Sequence, residues 1–74
     1  MIKPGQIYRE KIAPSWRKYP VETFLVTNVE YSISIIHIDG KTEFVGWEWI
    51  KGDCELIAEY PTWREAVNSK EFTE

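Results

Sequence analysis

The chain holds a single cysteine, Cys54, so no intrachain disulfide can staple it and stability must come from packing. One cysteine and one histidine, His37, fall short of the clustered ligands that a zinc site requires, so no metal or other cofactor is expected. No apolar run approaches the length that crosses a bilayer, and Lys3, Pro4 and Gly5 interrupt the start of the chain before a secretory core can form. Neither Asn28 nor Asn68 has a hydroxyl residue two places on, which removes the glycosylation acceptor. These absences predict a cytoplasmic protein with no membrane partner.

Seventy-four residues suffice for one domain, 1–74, and not for two. A chain this short buries only about 60% of the surface its unfolded form exposes. The composition compensates with rings: aromatics make up 15% of the residues and include four tryptophans. Each large ring buries roughly 150–250 Å², so a few can anchor a short core. Charged residues at 28% argue against disorder. The net charge of −3 hides an asymmetry. Residues 1–20 carry five basic side chains against one acidic, a balance of +4, whereas residues 21–74 carry four basic against eleven acidic, a balance of −7.

Pro4-Gly5 predicts a turn, followed by a short strand over 6–9. Between 11 and 20 the pattern fails: Pro14, Ser15 and Pro20 bracket Trp16-Arg17-Lys18-Tyr19, a long loop for so small a domain. Residues 21–29 form the clearest strand. Phe24-Leu25-Val26 is apolar on both phases, which predicts cover on both faces. A turn follows at 28–31. Ser32-Ile33-Ser34-Ile35 alternates, and Ile36-His37-Ile38 then continues with the phase shifted, predicting a bulge near Ile35-Ile36. Asp39-Gly40 predicts a two-residue type I′ hairpin turn. The returning strand, 41–45, is expected to turn Phe44 inward. A tight turn or 3₁₀ element at 46–50 should then bury Trp47 and leave Trp49 on the rim. A last strand runs over 54–57. Thr62-Trp63-Arg64-Glu65 fits a capping box opening a helix over 62–70, with Trp63 as its latch to the barrel.

This order predicts a mostly β fold, a small five-stranded barrel with a short C-terminal α-helix. Over residues 4–60 the strand spacing resembles the SH3-like barrel. That resemblance implies a binding groove framed by the first loop and the hairpin tips.

No nucleophile or second acid accompanies His37 in the sequence, so no enzymatic activity is expected. His37 reads as a strand residue facing solvent or capping the barrel edge, and Cys54 as a small core residue. The candidate binding residues are Trp16, Arg17, Lys18 and Tyr19, which couple two rings to two cations, together with Tyr8 and a rim Trp49. Trp16 has a second reading, as a lid folded back on the barrel mouth. A protein partner is the first expectation. Nucleic acid, stacked on the rings and held by Arg17 and Lys18, is the alternative, disfavoured by the −7 balance of the remaining chain.

Two resemblances add to this reading. Pro4-Gly5-Gln6-Ile7-Tyr8 followed by Phe24-Leu25-Val26-Thr27-Asn28 resembles the opening of barrel-type toxin ribonucleases. It spans the first 28 residues and transfers no catalytic pair, so a toxin-like ribonuclease stands as a distant third reading after a protein binder and a nucleic-acid binder. The tail from Tyr60-Pro61-Thr62-Trp63 to Phe72 is similar to the ends of small uncharacterised proteins of phages and prophages of Gram-positive bacteria. That likeness implies a phage accessory protein and no particular activity.

Overall fold

The computed structural model describes residues 1–11 and 23–72. Five antiparallel strands, β1 (Gln6–Glu10), β2 (Thr23–Val29), β3 (Ile33–His37), β4 (Thr42–Val45) and β5 (Cys54–Glu59), form one sheet in the order β4-β3-β2-β1-β5. Two short helices complete it, α1 (Trp47–Asp53) between β4 and β5 and α2 (Trp63–Val67) after β5. The fold is mostly β, as expected. The expected barrel is not closed, because β4 and β5 are the two edges of the sheet and do not pair with each other.

Strand β2 sits at the centre because both its faces are apolar. Phe24 and Val26 join Tyr8, Ile33, Ile35, Ile50 and Cys54 on one face. Leu25 joins Ile7, Ala66 and Phe72 on the other. Helix α1 covers the first face through Ile50 and Trp49, and α2 with the tail covers the second. Cys54 is the small core residue its setting suggested.

The Pro4-Gly5 turn is present, with the Lys3 carbonyl accepting from the Gln6 amide at 3.3 Å. Gly5 has φ +97°, and a Cβ there would stand 2.3 Å from the Tyr60 carbonyl oxygen. Its amide donates to Val26 and its carbonyl accepts from Tyr60, so glycine lets three segments meet.

Several expectations are corrected. The bulge lies on β2 instead of at Ile35-Ile36, since the β2–β3 register shifts between Val26 and Asn28. Strand β3 keeps its phase: Ile33, Ile35 and His37 are buried on one face, while Ile36 packs against the other core. A two-sided sheet needs no slip to place apolar residues at adjacent positions. A second shift, between Ile7 and Tyr8 in the β1–β5 ladder, leaves Ile57 as the extra residue on β5.

The Asp39-Gly40 hairpin is not type I′, because Gly40 alone has positive φ, +93°. The His37 carbonyl accepts from Gly40 and the His37 amide donates to Lys41, enclosing a three-residue loop with a glycine bulge. Asp39 stays at negative φ and its carboxylate instead accepts from the Lys41 amide at 3.0 Å. His37 is buried on the inner face and pairs with Glu43, correcting its solvent-facing reading.

Residues 47–53 form a true α-helix, which reverses the expected roles of its tryptophans. Trp47 is exposed and Trp49 packs on the core. Phe44 is exposed instead of inward. The Thr62 cap holds, its hydroxyl accepting from the Glu65 amide, but α2 ends at Val67 and not at residue 70. Trp63 is not the latch, because it stands outside both core clusters. Ala66 and Phe72 dock this end of the chain.

Candidate functional site

An open groove of about 710 Å³ runs between the N-terminal segment, the β2–β3 tip and the junction of β4 with α1. Its floor is made by two core residues, Tyr8 and Ile33. Ile2 and Val45, both packed against the core, contribute to its walls. Two strongly exposed rings add to the lining, Tyr31 in the turn after β2 and Trp47 at the start of α1, whereas Phe44 borders the groove from β4 with its side chain on the opposite face, beside Ser34.

The elements set these positions for simple reasons. The turn at 30–32 is closed by the Glu30 amide donating to the Ser32 carbonyl, which leaves the Tyr31 ring outside the core. Gly46 is extended and starts α1 directly after β4. Trp47 is the first residue of that helix, before the face occupied by Ile50. One helical turn on, the Lys51 ammonium lies 5.1 Å from the centroid of the Trp47 ring.

The N-terminal wall is held by Gln6, a buried side chain whose amide is fully engaged. Its Oε1 accepts from the Tyr8 hydroxyl at 2.8 Å and from the Lys3 amide at 2.9 Å. Its Nε2 donates to the Met1 carbonyl at 2.9 Å and more distantly to Glu59. The Tyr8 hydroxyl has its pKa raised, first by burial and then by the charges of Glu59 and Cys54. It therefore stays a neutral donor beneath the groove.

Trp16, Arg17, Lys18 and Tyr19, the centre of the expected site, lie outside the described residues. Tyr8 is buried and serves the groove as floor, not as part of an exposed patch. Trp49 is withdrawn into the core by its stack on Phe24, with centroids 5.2 Å apart. Sequence reasoning passed over Tyr31 and Trp47 as binding residues. Tyr31 was visible as a lone ring in a polar turn, Glu30-Tyr31-Ser32. The exposure of Phe44 had no such signal.

Comparison of the chain with family models, curated proteins and solved structures returns no match. The geometry must carry the functional argument. Among the described residues no cluster of His, Cys, Asp and Glu could hold a metal ion. Nor is any helix among them long and apolar enough to cross a membrane. The groove offers a dry floor, exposed rings, one cation in Lys51 and one carboxylate in Glu30. That set suits the burial of apolar side chains and lacks a converging acid and base.

Proposed function

We propose that this chain is a non-catalytic protein-binding module whose groove receives apolar side chains of a partner polypeptide. The observation that carries this reading is that two exposed rings, Tyr31 and Trp47, border one groove whose floor is apolar. Large rings left in water at one place on a small domain are the usual raw material of an interface. Lys51 and Glu30 supply opposite charges at the same opening, so neither a polyanion nor a polycation is favoured there. Together with the likeness of the tail to phage accessory proteins, this reading makes a bacterial host protein the natural partner.

Affinity capture from Gram-positive host lysate, with the wild type beside Trp47→Ala and Tyr31→Ala, tests the proposal. A partner retained by the wild type and lost from both variants is expected. Capture that is indifferent to both substitutions, or no specific partner, would count against it. Recovery of nucleic acid in place of protein would favour the basic segment of the first twenty residues as the working surface.

A further inference from the structure

The two edges of the sheet are finished very differently. Strand β5 carries Glu55 and Glu59, an extra residue at Ile57, and Pro61 shortly after its end. Charges, a bulge and proline are the usual guards of an open edge. Strand β4, four residues long, has neither a bulge nor a proline, and one charge. It is regular, with no register shift against β3, and reads Thr42-Glu43-Phe44-Val45. Its single charge, Glu43, is tied to His37.

The ladder tells which backbone groups of β4 face outward. The His37 amide donates to Lys41, so that pair is hydrogen-bonded. Pairing alternates along an antiparallel ladder. Glu43 opposite Ile35 and Val45 opposite Ile33 therefore bond to β3, whereas Thr42 and Phe44 direct their N–H and C=O groups away from the sheet. Phe44 at 74% exposure lies in the middle of this edge.

We infer that β4 pairs antiparallel with β4 of a second copy of this chain, about a two-fold axis at Phe44. Three registers keep the strands overlapped. Centring between Glu43 and Phe44 leaves both strands' outward groups out of phase. Centring on Glu43 pairs Thr42 with Phe44 but sets two carboxylates directly opposite each other at a non-hydrogen-bonded pair, where side chains lie closest. Centring on Phe44 exchanges both backbone bonds of Phe44 with its counterpart, sets the rings side by side, and places Glu43 opposite Val45. Thr42 then meets Gly46, around which there is open space. Lys41 of one copy comes level with Trp47 of the other, a cation beside an exposed ring. The interface is isologous and closes at two copies, joining two five-stranded sheets into one.

Proline substitution and hydrogen exchange test this independently of any partner of the groove. Sedimentation should show the 8.8 kDa chain doubling in mass as its concentration rises. Phe44→Pro removes an outward N–H and no rung of the β3–β4 ladder, so it should abolish the dimer while leaving the fold. Should that variant unfold, wild-type exchange still decides. The Thr42 and Phe44 amides should gain protection as concentration rises, while those of Glu43 and Val45, already bonded to β3, stay unchanged. A chain that remains monomeric overturns the inference. So does a dimer that persists in folded Phe44→Pro, or one in which Thr42 and Phe44 gain no protection.

Discussion

The ring of Trp49 stacks on Phe24 with centroids 5.2 Å apart and planes 22° from parallel. Phe24 in turn stacks on Tyr8 at 5.8 Å and meets the edge of His37 at 6.4 Å. The row follows the ladder, since Tyr8 is opposite Phe24 and Phe24 is opposite His37. Helix α1 is thus held on the sheet by Trp49 beside the buried Ile50, while its other tryptophan remains in water.

Substituting the two tryptophans should separate these roles. Trp49→Ala is expected to cost about 3 kcal/mol, the low end for a large ring, because Trp49 is only partly buried. Trp47→Ala should change stability by no more than about 0.5 kcal/mol, as expected for an exposed site. Urea denaturation of both variants measures the difference, and equal losses would show that the stack does not hold α1.

The C-terminal end docks through Phe72 and Ala66 and not through Trp63. Phe72 is buried against Ile7 and Leu25, so Phe72→Ala should cost about 3 kcal/mol or more. Trp63 is exposed and its ring is partnered by Arg64, so Trp63→Ala should cost less than about 1 kcal/mol. Thermal melts of the two variants give the order.

The Tyr60 hydroxyl donates to the Glu71 carboxylate, linking the end of β5 to the tail. This bond lowers the Glu71 pKa from its ordinary 4.5. It is also the largest cause raising that of Tyr60 from 10.0. For Glu71 the stabilisation is present above pH 4.5 and lost as pH falls through the lowered value. For Tyr60 it is present below pH 10.0 and lost as pH rises through the raised one. Tyr60→Phe should therefore flatten the contribution of this pair at both ends of the pH–stability profile. A profile unchanged at both ends would show that the bond contributes nothing in solution.

Much of the architecture was legible before any tertiary contact was known. Phe24-Leu25-Val26 could only be a strand covered on both sides, because consecutive β residues face opposite ways. Pro4-Gly5 could only be a turn, and Thr62 with Glu65 could only open a helix, because those residues act on their own backbone. Tertiary structure decided everything that depends on which side of an element faces the core. Two residues apart, Trp47 and Trp49 align on a strand but diverge by about 200° on a helix, so only one could face the core, and the packing of Ile50 and Trp49 on the sheet chose which. Likewise the apparent slip at Ile36 became ordinary alternation once α2 and Phe72 supplied a second core for it to enter. Local chemistry set the turns and caps, and the long-range packing of two helices on opposite faces chose which rings went inside and which were left around the groove.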